Sequence, residues 1–569
     1  MGQNEVGTGK GGSVGTRDRK QESAQLGNIP ESFLAHLKED VGWRRIDSGL
    51  QRLEAHRALI ESCDANQKGA GILLGYLAQW VDIGFARPGI MQKLLERFSA
   101  ANREALALLE YVHAKMAEGL VAMSEEEFGE AIHHFEVVLA LDEEIRDKQV
   151  ISIANYWVGR CLRRQGRYKD ALGYVAKARE LALGMNYPKM AAVMRVLEAW
   201  IAFQEGDPED AAKILREAEE VLADTDDYLT RGNISSAYGR IARRLGNYDQ
   251  ALARFAQAIE EYGKRDPHSR NLARSFVNIA FVKRLVGLQL RDKIDTQAAR
   301  FRKKKTQNAP TGSLPKTRGR EEFRRLREEA FEHLTKAREI YDRYDDHRGK
   351  GNVYITYGYL YLDNGELDRA SSVAATAFSL AEEKKDTVLK ARARILQCTV
   401  EGAKFEEQIE EGTSGRSSQA AAEFAREALE CAKRTQNRRL IAKAHIALGL
   451  ALCLDFYDGM EAARECADEA TALLLSANHD YVWKELQELK RRLRGAGTIN
   501  PTLREWSQGI VGPKSFQQVS EEFAAIVIPK VWRREGCKVA RVAARLAISP
   551  KKVRRILRNQ GLLTGSAKG

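Results

Sequence analysis

Four short strings recur along the chain at a regular spacing: GRYKDA at residues 166–171, GDPEDA at 206–211, GNYDQA at 246–251 and GELDRA at 365–370. Each string places a glycine five residues before an alanine. The first three alanines are 40 residues apart, and Ala131 precedes them by one more step of 40. A period of this length indicates a repeat architecture, in which each unit buries its apolar face against its neighbours.

Small residues recur at two further positions of each unit, twelve residues before the alanine and seven residues after it. Small side chains let antiparallel helices approach closely, and the glycine of each string turns the chain between them. Each unit is therefore predicted to be a pair of helices. The two sets are Gly119, Gly159, Ala199, Gly239 and Gly358, and Val138, Ala178, Ala218, Ala258 and Ala377.

This pattern resembles the tetratricopeptide repeat, although its 40-residue period exceeds the usual 34 and indicates longer helices or loops. The resemblance implies an all-α fold, a superhelix of helix pairs with a concave surface that binds protein segments. We expect the array to run from about residue 70 to 480, in about seven to nine pairs. A helical cap at 29–69 and a disordered tail at 1–28 precede it.

The register is interrupted after Gly287, where the next alanine of the pattern, Ala330, comes 38 residues late. The insertion at about 288–320 carries ten basic residues against Asp292 and Asp295, and it contains proline and glycine. We predict an exposed flexible loop within one repeat. Two interpretations stay open, a solvated excursion and an auxiliary contact with an anion or a nucleic acid.

Basic and amide side chains recur at equivalent places in the first helices of the repeats. Arginine suits the bidentate binding of a carboxylate or phosphate, and in tetratricopeptide arrays such residues line the groove that holds an acidic peptide. The alternative is that arginines in a last helical turn only complement the helix dipole and terminal carbonyls. The candidate ligand-binding residues are Arg160, Arg163, Arg164, Asn233, Arg240, Arg243, Arg244 and Asn352.

Positive charge is concentrated near the end of the chain. The net charge is +12, and residues 513–569 carry 13 Lys and Arg against three Glu. Outside this segment and the insertion, the balance is mildly acidic. A basic block of this kind indicates a polyanionic partner, of which nucleic acid is the most common.

The basic block also has the pattern of a small helical domain at residues 516–563, after a helix end and linker at 481–515 and before a tail at 564–569. Its first helix is expected to begin at Pro529 and end near Gly536, and its second to span 538–547. Ser549 is suited to cap a third helix with Pro550 at its first position. The apolar residues of that helix are Val553, Ile556 and Leu557.

These residues resemble the helix-turn-helix of the Fis family, found at the end of many bacterial transcription regulators, although Ala547 stands where that family usually has a glycine. The resemblance implies duplex DNA as a partner and a homodimer that binds two half-sites. An apolar stripe opposite a cationic stripe suits a helix that enters the major groove. The expected DNA-binding residues are Ser549, Lys551, Lys552, Arg554, Arg555 and Arg558.

Catalytic motifs are missing from the sequence, so we predict no enzymatic activity and no cofactor or metal. The strings GTGKGG at 7–12 and GGSVG at 11–15 match loop motifs of enzymes, but they lie in the glycine-rich tail with no strand before them. The first 28 residues show no secretory signal, no apolar stretch is long enough to span a membrane, and the seven cysteines form no CxxC pair. A cytoplasmic location is therefore expected.

Together these features predict a bacterial DNA-binding transcription regulator. Its solenoid would bind a peptide or protein signal, acidic in character, and its terminal module would read duplex DNA. The alternative is a non-enzymatic interaction scaffold whose basic module docks a protein partner or RNA.

Overall fold

Helices make up all the regular secondary structure in the part of the chain that the computed structural model describes. That part is residues 28–563 without 86–88, 99–105, 305–315, 412–417, 455–458, 475–480, 497–501, 504–505 and 507–510. Both predicted tails, apart from residue 28, lie outside it. The helices of the N-terminal cap and the start of the array are α1 (Glu31–Trp43), α2 (Ile46–Ala55), α3 (Arg57–Glu61), α4 (Ala70–Ile83), α5 (Gly89–Leu95), α6 (Leu108–Ser124) and α7 (Phe128–Leu139).

The array continues as antiparallel pairs, in which each first helix packs on its own second helix and on the next pair. The pairs up to the insertion are α8 (Lys148–Gln165) with α9 (Tyr168–Gly184), α10 (Pro188–Glu205) with α11 (Pro208–Leu222), and α12 (Tyr228–Arg244) with α13 (Tyr248–Arg265). The remaining helices of the array are α14 (Arg270–Lys304), α15 (Lys316–Tyr344), α16 (His347–Asp363), α17 (Leu367–Glu383), α18 (Thr387–Glu411), α19 (Gln419–Lys433), α20 (Arg438–Leu452), α21 (Met460–Leu473) and α22 (Tyr481–Ala496).

Close contact within each pair explains the small residues of the repeat. A Cβ atom on Gly159 of α8 would lie 2.5 Å from Cγ2 of Val175 on α9, which is too close for any larger side chain. Between the helices, Gly166 adopts a φ of 83°, in the left-handed region that favours glycine. The recurring alanines, such as Ala171 and Ala251, are fully buried. The predicted all-α solenoid of tetratricopeptide-like helix pairs is confirmed.

Where the structure describes it, the basic insertion is helical and not the flexible loop that its proline and glycine content predicted. Helix α14 continues through the first half of the insertion to Lys304, and α15 already begins at Lys316. The two helices pack together over this length, since Gly319 lies against Ile294 and Gly287 against Phe323. Residues 288–304 contain neither proline nor glycine, so the preceding helix propagates through them. Residues 305–315 lie outside the described residues.

The packed array also extends past its predicted end at residue 480. Helix α22 carries Val482, Leu486 and Leu489 at helical spacing, and all three are fully buried against α20 and α21. This stripe places one more helix in the solenoid than the repeat pattern predicted.

The superhelix comes back on itself, so that residues far apart in sequence meet between successive turns. Arg44 and Asp227 form a buried ion pair, with Nη2 and Oδ2 2.6 Å apart. Asp47 pairs with Arg265 at 2.7 Å. Further along, the backbone of Gln436 donates to the carbonyl of Gly166 at 2.9 Å. We call the contacts Arg44–Asp227, Asp47–Arg265, Glu126–His347 and Gly166–Gln436 the inter-turn seam.

The basic segment near the end of the chain forms three helices, α23 (Phe516–Arg534), α24 (Val539–Arg545) and α25 (Pro550–Asn559). The first differs from the prediction, because Pro529 lies inside α23 and does not begin it. A capping box between Ser515 and Gln518 starts this helix earlier. Proline lacks the backbone N–H that would donate to the preceding turn of the helix. This 19-residue helix nevertheless continues through Pro529, which is buried.

Candidate functional site

Two adjoining cavities lie inside the superhelix, with volumes of about 720 Å³ and about 330 Å³. We call them together the inner channel. The first helix of each pair, from α8 to α20, contributes side chains to the lining of this channel. The residues common to both cavities are Arg163, Arg164, Trp200, Arg240, Arg274 and Asp346.

All eight residues that the sequence proposed for ligand binding line this channel, so the structure brings them together. Arg160 and Asn233 belong to the larger cavity, whereas Arg243, Arg244 and Asn352 belong to the smaller one. The other three, all arginines, lie where the cavities meet. Their contact with a ligand stays a prediction.

Two of these arginines already have carboxylate partners. Arg160 of α8 pairs with Asp82 of α4, and Arg164 pairs with Glu126 in the turn before α7. Because both contacts join neighbouring elements of the solenoid, these two cations hold the wall of the channel together.

Two others contact neutral groups. Arg243 donates to Oδ1 of Asn278 at 2.9 Å, and Arg244 donates to the carbonyl of Phe203 and lies over its ring at 3.6 Å. Arg244 is buried, and its contacts join α12 to α10. Its role is therefore structural, in agreement with the alternative that the sequence left open.

The two amide residues are also engaged by neighbours. Oδ1 of Asn233 accepts a hydrogen bond from the hydroxyl of Tyr262 at 2.8 Å, and Oδ1 of Asn352 accepts one from Arg392 at 2.5 Å. Each amide oxygen is thus occupied by a donor that orients the side chain, and the amide nitrogen is the group available to an acceptor in the channel.

Three arginines at the junction of the cavities have no carboxylate partner among the described residues: Arg163, Arg240 and Arg274. Arg163 lies over the ring of Trp200 at 4.7 Å, and its buried Nε makes no hydrogen bond. Burial and the charges of neighbouring arginines, with Arg164 and Arg274 among them, hold the pKa of Arg163 well below its usual value. Burial and the charge of Arg274 likewise lower the pKa of Arg240 to about 9.

The sequence analysis missed Arg274 and four more cations of the smaller cavity. These residues lie in the first two turns of their helices, whereas the recurring arginines were sought next to the small residue further along. Counted from the start of each helix, Arg392 and Lys443 occupy the sixth position, as Asn352 does, and Arg348 and Arg439 occupy the second, whereas Arg274 occupies the fifth. The missed residues are Arg274, Arg348, Arg392, Arg439 and Lys443.

The helix-dipole alternative accounts for part of this set. Arg163 and Arg164 lie in the last turn of α8, and Arg243 and Arg244 in that of α12, where a cation complements the terminal carbonyls. Arg274 lies near the start of α14, where the dipole opposes a cation. The dipole therefore does not explain why a positive charge is kept at that position.

A second candidate site lies on α25. Ser549 caps this helix, because its hydroxyl accepts from the backbone of Lys552 at 3.2 Å. Val553 and Leu557 are fully buried, and Ile556 is nearly so, against α23 and α24. The opposite face is exposed and carries the five predicted cations, Lys551, Lys552, Arg554, Arg555 and Arg558.

Local geometry agrees with the sequence on the turn between α24 and α25. Ala547 adopts a φ of 50°, in the left-handed region, at the place where the resemblance led us to expect glycine. The side chain there costs about 1 kcal/mol relative to glycine.

One ion pair and two exposed aromatic rings of this module affect how it can contact a partner. Arg555 donates to Oε1 of Glu521 on α23 at 2.6 Å, and both side chains are about half exposed. On the same helix, Phe516 and Phe523 are 88% and 50% exposed, and their spacing of seven residues places them on one face.

Comparisons with known proteins agree with the architecture of the solenoid. Residues 149–224, which contain α8 to α11, match the family described as tetratricopeptide repeat, so the predicted repeats are confirmed for this chain. No curated protein sequence matches it. None of the described helices is both long and apolar enough to cross a lipid bilayer.

Solved structures with a similar arrangement include three arrays at low sequence identity. A monomeric mutant of IFIT1 with Gppp-AAAA is 15% identical, with a TM-score of 0.43, over 83% of this chain and 96% of that one. A Rap protein complexed with competence and sporulation factor is 13% identical, with a TM-score of 0.41, over 68% and 99%. The Rap conjugation gene regulator of plasmid pLS20, in complex with the Phr peptide, is 12% identical, with a TM-score of 0.41, over 71% and 94%.

Proposed function

We propose that this protein is a non-enzymatic, cytoplasmic DNA-binding regulator, in which the tetratricopeptide solenoid receives an acidic peptide or protein signal and the Fis-like module of α23–α25 reads duplex DNA. One observation carries the DNA assignment. The face of α25 opposite its buried stripe presents five exposed cations and no acidic side chain.

The dimensions of α25 suit the major groove. A ten-residue helix is about 15 Å long, and the groove is about 12 Å wide, so the helix fits with its cationic face towards the bases. In this arrangement Lys551, Lys552 and Arg555 contact bases, while Arg554 and Arg558 contact phosphates. The start of the helix at Ser549 adds backbone amides that favour a phosphate.

Two copies acting together would complete this mode of binding. One short helix buries little DNA surface, and tight operator binding generally uses two half-sites related by symmetry. Phe516 and Phe523 are exposed on α23 and do not belong to the cationic face of α25, so they are available for contact with a second copy of the chain. Sedimentation of the protein with operator DNA should give two chains per duplex, and one chain per duplex would contradict the pairing.

The solenoid part of the proposal rests on the charge of the inner channel. The smaller cavity is lined by nine arginines and Lys443, and Asp346 is the carboxylate of the lining itself. Three of these cations pair with carboxylates behind the lining, namely Arg164 with Glu126, Arg348 with Asp386 and Lys443 with Glu485. Asp346 is itself occupied, since its carboxylate accepts from the backbone of Gly349 at 2.7 Å. The excess of arginines over carboxylates in this lining favours a negatively charged ligand.

The DNA proposal is tested by titrating the full chain against random duplex DNA and against a pool selected for binding, each at two salt concentrations. We expect enriched sequences and a fall in affinity with salt that corresponds to several released counterions. The double change Lys551→Gln and Lys552→Gln should weaken specific binding by about 2–6 kcal/mol in total. The control is Arg464→Gln, an exposed arginine of α21 that pairs only with Glu461 and should leave binding unchanged.

Absence of enrichment, with weak binding that vanishes at physiological salt, would overturn the DNA assignment. The interaction scaffold would then be favoured, and the exposed Phe516 and Phe523 would mark the surface of the module that docks a protein. Enrichment of single-stranded RNA from a mixed pool would assign the module to RNA instead.

A further inference from the structure

Three guanidinium groups converge where the two cavities of the inner channel meet. Arg163 comes from α8, Arg240 from α12 and Arg274 from α14, so three successive first helices of the solenoid each supply one cation. All three line both cavities. The mutual effect on their pKa values agrees with this proximity, because Arg274 lowers the pKa of both Arg163 and Arg240 after the larger effect of burial.

None of these three arginines forms an ion pair with a carboxylate of the described residues, whereas Arg164, the fourth arginine common to both cavities, pairs with Glu126. Asp346, the carboxylate common to both cavities, caps α16 through the backbone of Gly349. Burial opposes its charge, but Arg164 and, more weakly, Arg274 lower its pKa, so Asp346 offsets the charge of Arg274 only in part. Unpaired cations that are withdrawn from water are costly, so a protein that keeps three of them together has a use for an anion there.

We propose that Arg163, Arg240 and Arg274 form a binding site for a phosphoryl or pyrophosphoryl group carried by the ligand of the channel. This deepens the proposed function by naming the charged group of the signal, and it does not depend on DNA binding. The group enters the junction of the cavities, where each guanidinium fork binds two of its oxygens.

The number of charges and oxygens favours phosphate over carboxylate. A carboxylate has one charge and two oxygens, which one arginine fork already satisfies. A phosphoryl group carries about −1.5 to −2 at pH 7 and offers three strong acceptors, so it matches a cluster of three forks. The larger cavity, at about 720 Å³, has the size of sites that hold small molecules or the end of a peptide.

The aromatic rings of the junction reinforce the choice of an anion as the ligand group. The ring of Trp200 is covered by Arg163 at 4.7 Å, and that of Tyr156 by Arg160 at 5.7 Å. A cation thus covers one face of Trp200 at the junction and one face of Tyr156 in the larger cavity, which leaves less ring surface to stack on a planar ligand. Recognition in the junction therefore rests on the arginines.

Calorimetric titration of the full chain with inorganic pyrophosphate tests the site. We expect saturable binding at one site per chain, and a Kd that rises roughly ten- to hundredfold in Arg240→Gln and in Arg274→Gln. The matched control is Arg254→Gln, an arginine of α13 outside both cavities that lies near Glu219 and over Tyr238. Its Kd for pyrophosphate should equal that of the unchanged protein.

Further ligands distinguish the sources of the phosphoryl group and the alternatives. An acidic peptide is compared with and without one phosphoserine, and citrate serves as a carboxylate of similar charge. A gain of affinity from phosphoserine assigns the group to a modified peptide, whereas strong binding of pyrophosphate alone assigns it to a free phosphate ester. Equal binding of citrate, or of the unmodified peptide, would overturn the phosphoryl assignment and leave the acidic-peptide channel standing.

Thermal unfolding without ligand gives a second readout that does not depend on knowing the natural ligand. Because Arg240 and Arg274 repel each other and neither forms an ion pair among the described residues, each Gln variant should unfold at the same temperature as the unchanged protein or higher. A variant that unfolds at lower temperature, together with unchanged pyrophosphate binding, would show that these arginines serve the fold and would refute the site. Neither experiment involves DNA, so the two proposals fail separately.

Discussion

His347, at the start of α16, forms an ion pair through Nδ1 with Glu126, which belongs to the preceding superhelical turn. Its other nitrogen, Nε2, lies 3.3 Å from Oδ2 of Asp386. The same Glu126 also pairs with Arg164 of the inner channel. One carboxylate of the inter-turn seam is therefore shared between a titratable imidazole and a cation that faces the ligand cavity.

The seam should weaken as the pH rises. Burial disfavours the charged imidazole, but hydrogen bonds to Asp386 and Glu126 outweigh it and raise the pKa of His347 from 6.5 to about 9. A raised pKa in the folded state means that the stabilisation is complete below about pH 6.5 and is lost as the pH rises through about 9. Of the cations that face the same carboxylates, Arg164 has its pKa lowered by burial, whereas Arg348 has its pKa raised because the charge of Asp386 outweighs burial.

Thermal unfolding at pH 6.5, 8 and 9.5 measures this effect. We expect the free energy of unfolding to fall by a few kcal/mol across the interval. In His347→Gln, which cannot titrate, that part of the fall should disappear. A variant that keeps the full pH dependence would show that other groups cause it.

The buried pair between Arg44 and Asp227 should be among the strongest single contacts of the seam. Asp227 also caps α12, because its Oδ1 accepts from the backbone of Thr230 at 3.0 Å. Replacement by alanine leaves Arg44 buried without a partner, so Asp227→Ala should destabilise the protein by about 3–5 kcal/mol. The comparison is Glu54→Ala, which breaks an exposed pair with Arg57 and should destabilise the protein far less. Equal losses in urea unfolding of the two variants would contradict this assignment.

The repeat was readable from the sequence because its residues act locally. Gly159 and Ala171 sit in the contact between two adjacent helices, and Gly166 sits in the turn between them, so a fixed spacing reveals all three. The cap of α25 is local in the same way, since Ser549 bonds to a residue three positions later. Such short-range constraints appear in every unit or at every helix start.

The seam could not be predicted, because it depends on the pitch of the superhelix. Nothing near Gly166 indicates that Gln436 will lie beside it, and the pairing follows only from the accumulated rotation of the intervening helix pairs. The convergence of Arg163, Arg240 and Arg274 was likewise hidden, since Arg274 precedes the interruption of the register and has no equivalent in the arginine pattern.

Gly159 and Gly173 lie in the same helix pair, and replacing each of them by alanine tests a different effect. The change at Gly159 tests side-chain packing, and the change at Gly173 tests helix propensity. A Cβ on Gly159 meets Val175 at 2.5 Å, whereas a Cβ on Gly173, in the middle of α9, meets no atom within 4 Å. Gly159→Ala should therefore destabilise the protein by about 1–3 kcal/mol, the usual cost of overpacking. Gly173→Ala should stabilise it by up to about 1 kcal/mol, because alanine favours the helix and has room. Chemical unfolding of both variants tests the pair, and the same sign of change in both would contradict it.

The contact between Arg555 and Glu521 should limit the affinity of the proposed DNA module. For Arg555 to reach a base it has to leave this carboxylate, and Glu521 would remain as a negative charge near the phosphates. An exposed ion pair is worth at most about 1 kcal/mol, so Glu521→Gln should tighten operator binding by up to about fivefold. The control is Glu461→Gln, which breaks the equivalent contact of Arg464 on the solenoid and should have no effect. Fluorescence anisotropy with the selected duplex measures both, and unchanged or weaker binding by Glu521→Gln would show that Arg555 does not contact DNA.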